Sequence, residues 1–199
     1  MHWWPAKTPF EVIVGAILTQ NTAWTNVERA LANLRRERLL SPLAIEKVSL
    51  RHLQELVRSS GYFRQKAKKL KAFVHFLRRE YGGSLARMFR TPTDVLRERL
   101  LGVHGIGPET ADSILLYAGR KDVFVVDAYT KRILTRHGWA GKKTRYEEMQ
   151  ALFEKNLPRD ASVYNELHAQ FVQVGKNWCR PRAPRCSECP LEKFLEVRP

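Results

Sequence analysis

Leu101-Gly102-Val103-His104-Gly105-Ile106-Gly107-Pro108-Glu109-Thr110-Ala111, followed after a short interval by Val125-Val126-Asp127, is the stretch on which the fold turns. An apolar helix end runs into Gly-x-Gly, and Pro108 suits the first turn of a new helix. Glycine there lets the backbone turn tightly and come close to a large partner. The second helix then offers unpaired N–H groups, a ready seat for a phosphate oxygen. Asp127 stands a little further on, in an apolar setting. A phosphate grip followed by a lone carboxylate points to chemistry on a nucleic acid.

The charge balance agrees. The chain carries 35 Lys and Arg against 20 Asp and Glu, a net charge of +15. Such an excess can be a solvated surface, but it also displaces counterions from phosphates. The basic residues cluster at Arg64 to Lys71, Arg78-Arg79, Lys142-Lys143 and Arg180 to Arg185. Groups so separated fit a distributed phosphate-binding face better than one disordered tail. With 44% hydrophobic residues in 199, the chain can bury a core in one domain or two small ones. No apolar run approaches the roughly 18 residues of a membrane span. Met1-His2-Trp3-Trp4-Pro5 lacks a charged-then-apolar signal pattern. The expectation is a soluble, monomeric, cytoplasmic protein, associated with the nucleoid and with no membrane partner.

Helical periodicity dominates. Phe10, Ile13, Val14, Ile17, Leu18, Val27, Leu31 and Leu34 form one stripe, with Pro9 near its start. Ala67, Leu70, Phe73, Val74 and Leu77 form a second, ended by Gly82-Gly83. Thr91-Pro92-Thr93-Asp94 reads as an N-cap, a proline at the first helical position and an acid at the third. Stripes return at Met149 to Phe153 and at Tyr164 to Val174, while Val123 to Val126 is strand-like but too short to anchor a sheet. An all-α fold is expected, with two lobes covering 1–120 and 121–199 and the helix–turn–helix around Gly105 and Gly107 at about 97–117.

Leu-x-Gly-x-x-Gly-x-Gly-x-x-Thr-Ala with its downstream Val-Asp resembles the helix–hairpin–helix motif, Gly/Pro-rich loop and Asp of the endonuclease III superfamily of DNA glycosylases. Phe10 to Thr22, ending in Ile17 to Thr22, resembles the family's helix leading to a DNA-inserting glutamine, Gln20, and Ser60 to Ala67, which includes Tyr62, its second DNA-probing loop. The resemblance implies a two-lobed fold with a DNA-binding cleft between the lobes, double-stranded DNA with damaged bases as partner, and Asp127 as the catalytic carboxylate. Breaking an N-glycosidic bond puts positive charge on the sugar. A carboxylate about 4 Å away, at an effective dielectric of about 20, is worth roughly 4 kcal/mol, about a thousandfold in rate. It can also orient or deprotonate the attacking water. Read without the motif, Asp127 is a cap for a helix starting at Ala128; the two roles are compatible.

The same motif nominates Val103, Gly105, Gly107 and Thr110 as DNA-binding residues, the hairpin around Gly105 and Gly107 gripping phosphate through backbone N–H groups, with His104 an exposed turn residue. Bifunctional members carry a lysine just before the Thr-Ala, whose amine attacks the sugar as a Schiff base. Here that residue is Glu109, which implies base removal without strand cleavage. Lys131, four residues after Asp127, is either a replacement nucleophile or, as favoured, a phosphate contact or a pair with Asp127. Gln20 and Tyr62 are candidates to fill the gap left by an extruded base or to wedge the opposite strand. Taken alone, Gln20 is a solvent-facing helix end, and Tyr62 an aromatic that packs inward.

Trp3-Trp4-Pro5, Pro9-Phe10-Glu11 and Leu18 to Trp24 resemble a narrower branch, the 3-methyladenine DNA glycosylases related to endonuclease III. There, aromatic residues line the base pocket, and a cationic alkylated purine gains from indole faces. Trp3, Trp4 and Trp24 are the candidates; ordinary core packing is the alternative, favoured for Trp24. Oxidised pyrimidines with a bifunctional mechanism, and a helix–hairpin–helix protein that binds DNA without catalysis, stay open as other functions.

Cys179, Cys186 and Cys189 are the chain's three cysteines. An odd number so closely grouped argues for metal or cluster ligation rather than a disulfide framework. Cys179-x6-Cys186-x2-Cys189-Pro190 resembles the family's iron–sulfur loop, implying a 4Fe–4S cluster. The fourth expected cysteine is replaced by Leu195, so an outside ligand at one iron, zinc with a nearby histidine, or no metal are the readings.

Overall fold

A computed structural model describes residues 4–195. Every regular element among them is helical, in agreement with the all-α expectation. The chain divides into two compact units, one ending at Arg120 and the other beginning at Lys121.

In the first unit the core helix is α1 (Pro9–Leu18). Every residue from Phe10 to Leu18 is buried, so it is apolar on all sides, as a helix surrounded by others must be. Its one buried acid, Glu11, accepts from the Lys7 N–H and is paired with Arg35. The Phe10 to Leu34 stripe is broken in two. A turn at Thr19 to Ala23, with Asn21 in the left-handed region, separates α1 from α2 (Trp24–Arg36). Periodicity carries through such a turn because both helices bury a face in the same core.

The chain continues through α3 (Pro42–Lys47), α4 (Leu50–Leu56) and a 3₁₀ turn at Arg58–Ser60 into the long α5 (Phe63–Tyr81), which Gly82 terminates at φ 60°. After α6 (Leu85–Phe89) comes α7 (Thr93–Leu101). Here Pro92, not Thr91, takes the cap position, and no side chain bonds the helix start; the Thr91 hydroxyl lies 3.4 Å from the Tyr81 hydroxyl. The hairpin leads to α8 (Pro108–Ser113), which widens into a π turn at Ile114–Ala118. Arg97 on α7 makes two hydrogen bonds, 2.7 and 3.0 Å, to the fully buried Asp112 on α8, which sets the two hairpin helices against each other.

The second unit starts with the extended Val123 to Val126. It pairs with no strand among the described residues; side chains satisfy it instead. The Phe124 N–H donates to Glu154, the Phe124 carbonyl accepts from Gln150, and the Val126 N–H donates to the Tyr146 hydroxyl. Those side chains sit on or beside α10 (Tyr146–Glu154), which follows α9 (Ala128–Arg136). Phe124 stacks on Phe153 at 3.9 Å between centroids and meets Tyr164 edge-on. Tyr164 belongs to α11 (Ala161–Asn177). The helices α9 and α11 approach closely at Gly175: a Cβ there would lie 2.4 Å from the Tyr129 ring. Arg132 seals the contact, donating to the carbonyls of Gly175 and Cys179 at the end of α11.

Candidate active site and DNA-binding elements

In the second unit, Asp127 is the N-cap of α9. Its Oδ1 accepts the Thr130 N–H at 2.7 Å, so the capping role read from sequence is present. The other carboxylate oxygen lies 3.7 Å from Nε2 of His168, an ion-pair distance. Asp127 keeps 14% of its side chain exposed, His168 only 4%. Burial pushes the Asp127 carboxyl up, but His168 and the Thr130 hydrogen bonds outweigh it and hold the group below the usual aspartate range. The result is a carboxylate that stays charged at neutral pH in a largely apolar setting.

Sequence reading missed His168. It lies on the apolar stripe of α11, where a lone histidine reads as core, and only the packing of α11 on α9 brings it to Asp127. Lys131 is exposed and makes no ion pair with Asp127. The pairing expected from the four-residue spacing is therefore absent, because Asp127 turns its carboxylate back to cap its own helix.

In the first unit, the hairpin is as compact as Gly-x-Gly suggests, but the residues share the work unequally. Gly105 has φ +82°, a conformation that favours glycine, and the Lys69 side chain lies across it. Gly107 has an ordinary backbone and open space where a Cβ would sit, so it keeps the N-terminus of α8 accessible. The Val103 N–H is already donated to the Leu100 carbonyl and its side chain is buried. The Val103 side chain thus packs into the core of the first unit. Thr110 is buried too, and its hydroxyl is engaged by Gln20; its backbone N–H in the first turn of α8 is what it can offer a phosphate. His104 is exposed, as expected of a turn residue.

Gln20 is not a free solvent-facing end. Its amide nitrogen donates to the Gly105 carbonyl (3.1 Å) and to Thr110 Oγ1 (2.8 Å), and its oxygen accepts from Lys69. Nor are all the basic residues of 64–71 a surface face. Lys66 is buried, donating to the carbonyls of Leu18 and Ser60, and burial, with the charge of Lys69, lowers its pKa to about 8. Lys66 thereby ties the end of α1, just before Gln20, to the loop that carries Tyr62.

Tyr62 does not pack inward. It is 74% exposed and holds φ 44°, beyond Gly61 at the start of α5, so an aromatic ring is presented to solvent from a strained backbone. Next to it the Arg58 and Arg64 guanidinium groups lie over the Phe63 ring at 5.9 and 5.8 Å.

Trp4 stacks on Tyr117 (5.0 Å, 28°) and meets Trp24 edge-on (5.2 Å, 74°), all three half-buried. Gly15 on α1 forms the floor beneath both indoles. Tyr117 was not foreseen; the π turn that follows α8 aims it at Trp4. Trp24 is neither wholly core nor free, since its Nε1 donates to Glu28. Trp3 lies outside the described residues. Glu109 is exposed in the first turn of α8.

After α11, Cys179, Cys186 and Cys189 line one cavity together with Arg136, His137, Glu192 and Leu195. Burial and the neighbouring Cys179 and Cys186 thiols raise the Cys189 pKa, against a backbone hydrogen bond from Leu191. Arg136 donates to the Cys179 sulfur at 3.4 Å. Among the described residues no three Cys, His, Asp or Glu side chains converge closely enough to hold a single metal ion. The three thiols share one space with the apolar Leu195, which has no donor atom, and a guanidinium meets one sulfur. No helix among the described residues is long and apolar enough to cross a membrane.

Comparison with known proteins bears on this geometry. Residues 14–159 match the HhH-GPD superfamily base excision DNA repair proteins. A provisionally assigned DNA repair glycosylase of Methanocaldococcus jannaschii is 49% identical, over 97% of this chain and 88% of its own length. Endonuclease III of Thermotoga maritima is 32% identical over 94% of this chain and 83% of its own. Among solved structures, the H. pylori 3-methyladenine DNA glycosylase bound to 1,N6-ethenoadenine superposes with a TM-score of 0.76 at 31% identity, covering 88% of each chain. A non-covalent endonuclease III–DNA complex gives 0.82 at 24% identity, over 96% of this chain and 84% of that one, a likeness of fold.

Proposed function

The chain belongs to the HhH-GPD superfamily of base excision DNA repair proteins, and from that premise we propose that it is a monofunctional DNA glycosylase. It releases damaged bases, alkylated purines such as 3-methyladenine first among them, from double-stranded DNA and leaves the sugar–phosphate strand uncut. The observation that carries the reading is Asp127, a carboxylate kept charged at the N-terminus of α9 by Thr130 and His168.

Each element then has a task. The accessible N–H groups at Gly105, Gly107 and the start of α8 take a backbone phosphate. Tyr62 stacks into the duplex as the wedge, and Gln20 fills the gap left by the flipped base after leaving its hydrogen bonds on the hairpin. Lys131 adds a phosphate contact. Trp4, with Tyr117 and Trp24 around it, offers aromatic faces to a cationic purine. Asp127 opposes the charge that grows on the sugar as the base departs and orients the water that replaces it. Cys179, Cys186 and Cys189 would hold a cluster whose contribution is to fix the loop, so that exposed Arg180, Arg182 and Arg185 face the DNA backbone.

Substrate class is tested by incubating the protein with duplexes carrying one 3-methyladenine, one oxidised pyrimidine or neither, and identifying released bases by chromatography. Release of the methylated purine ahead of the pyrimidine is expected. The opposite order would move the chain to the oxidised-base specialists, and binding without any release would make it a DNA-binding module.

Two further results are expected. Glu109→Lys places an amine where an imine can form with the sugar, so borohydride will trap a protein–DNA adduct that wild type does not give. Replacing His168 with Leu removes a cause of the lowered Asp127 pKa while burial, which raises it, remains. Because the folded pKa is depressed, the charged form is kept until pH falls through that low value. In His168→Leu the acid limb of the pH–rate profile will shift to higher pH, whereas a merely structural role would lower the whole profile without moving the limb.

A further inference from the structure

The side chain expected to enter the duplex is tied down in the free protein. The Gln20 amide nitrogen donates to the Gly105 carbonyl at 3.1 Å and to Thr110 Oγ1 at 2.8 Å, and the amide oxygen accepts from the Lys69 ammonium. Lys69 reaches it by lying across the hairpin: its Cγ, Cδ and Cε fill the space that a Cβ on Gly105 would need. The glycine thus leaves a channel for the lysine stem as well as supplying the turn. Lys69 stands one turn after Lys66 on α5. Lys66 donates to the carbonyls of Leu18 and Ser60, and Lys69 to an amide oxygen, so two neighbouring cations rest on neutral acceptors. Burial first, and the charge of Lys69 second, lower the Lys66 pKa to about 8, so each ammonium feels the other. Among the described residues no carboxylate pairs with either. Lys66 is buried, whereas Lys69 is half-buried and is the one that an outside anion can reach.

We propose that Lys69 is a DNA-phosphate ligand held in reserve by Gln20: a backbone phosphate arriving at the hairpin takes the ammonium from the Gln20 amide and so frees the glutamine for the duplex. The proposal rests on the gap-filling reading of Gln20 and adds what triggers it. An ammonium bonds an anionic phosphate oxygen more strongly than a neutral amide oxygen. A phosphate beside Lys69 also offsets its repulsion from Lys66. Once the ammonium has turned away, Gln20 keeps only the neutral bonds to Gly105 and Thr110. Gln20 therefore stays stowed until DNA lies on the hairpin. The exchange precedes any contact with a lesion, so it takes place on undamaged duplex as well.

The test uses the full chain and an undamaged duplex, with binding followed by fluorescence anisotropy over a range of potassium chloride concentrations. Lys69→Met keeps an unbranched stem over Gly105 and removes the charge. One lost phosphate contact is expected to reduce the slope of log K against log salt by about 1, with thermal unfolding close to wild type. A merely structural role would weaken binding without changing that slope. The second readout is the Gln20 side-chain amide in 15N-glutamine-labelled wild type, assigned by its loss in Gln20→Ala. It is expected to be shielded from exchange with water in the free protein and to exchange faster once the undamaged duplex is bound. An unchanged slope in Lys69→Met overturns the phosphate contact, and a Gln20 amide that stays shielded on the bound duplex overturns the release. Gap filling is judged separately, on a duplex carrying a tetrahydrofuran abasic site, which Gln20→Ala is expected to bind more weakly than wild type. Equal binding there overturns the gap-filling reading, while the salt slope and the amide still decide whether phosphate displaces Gln20 from Lys69.

Discussion

Asp127→Asn will lower the single-turnover rate of base release about a thousandfold while the protein stays folded and still binds damaged duplex. The two oxygen-bearing positions of Asp127 do different jobs. One caps α9 through the Thr130 N–H at 2.7 Å, and an asparagine carbonyl caps a helix about as well as an aspartate does. The charge is what disappears. A full negative charge about 4 Å from a developing cation, at an effective dielectric of about 20, is worth roughly 4 kcal/mol, which is about a thousandfold in rate. Asp127→Ala removes the cap as well, and a lost cap costs about 1 kcal/mol of stability. Comparison of the two variants by thermal unfolding and by single-turnover kinetics separates the cap from the charge: Asn should unfold close to wild type and Ala below it, with both impaired in release. An asparagine variant that releases base at the wild-type rate would leave Asp127 as a helix cap and nothing more.

The second large effect concerns the scaffold of the hairpin. Replacing Arg97 with Leu is expected to destabilise the first unit by about 3 kcal/mol or more, because it takes the guanidinium and its two hydrogen bonds away from a buried charge. Asp112 is fully buried and receives two hydrogen bonds from the Arg97 guanidinium. The surface pair Arg51–Glu55 is the contrast: Arg51 is 92% exposed, water replaces its partner readily, and Arg51→Ala should leave unfolding unchanged. Because Arg97 and Asp112 set α7 against α8, salt-dependent binding to undamaged duplex should weaken in Arg97→Leu below its unfolding temperature. Equal unfolding curves for Arg97→Leu and wild type would mean the pair is dispensable.

These two residues also show what was readable in advance. Asp127 could be picked out because the glycines and proline that precede it are local signals: they act on their own backbone, and a neighbour in space is not needed to interpret them. Arg97 and Asp112 lie in amphipathic stretches where a charge reads as solvent-facing, and only the crossing of α7 and α8 buries the pair. The same holds for Lys66 and Lys69. In sequence they belong to a basic run; in the fold one is buried on the carbonyls of Leu18 and Ser60, and the other is bonded to Gln20.

Motif reading also treats a motif's residues as equivalents, and here they are not. Gly105 needs its positive φ, Gly107 needs only open space, and Val103 has spent its N–H on Leu100. Taken alone, Tyr62 reads as an aromatic that packs inward, since aromatic burial is the general preference, but a left-handed backbone at the head of α5 turns it out. His168 and Tyr117 were out of reach for a further reason. Each meets its partner, Asp127 or Trp4, across a separation of about forty residues or more, and nothing in the local pattern distinguishes them from core positions.

Base release that stops short of strand cleavage is the central claim, and one time course tests it most directly. A duplex labelled on the strand bearing 3-methyladenine is incubated with wild-type protein, and each sample is divided. One half is heated in alkali, which breaks the strand wherever a base is missing, and the other is left untreated. The predicted result is a cleaved product that accumulates with time in the alkali-treated half alone. Equal cleavage in both halves, or none in either, would contradict the account.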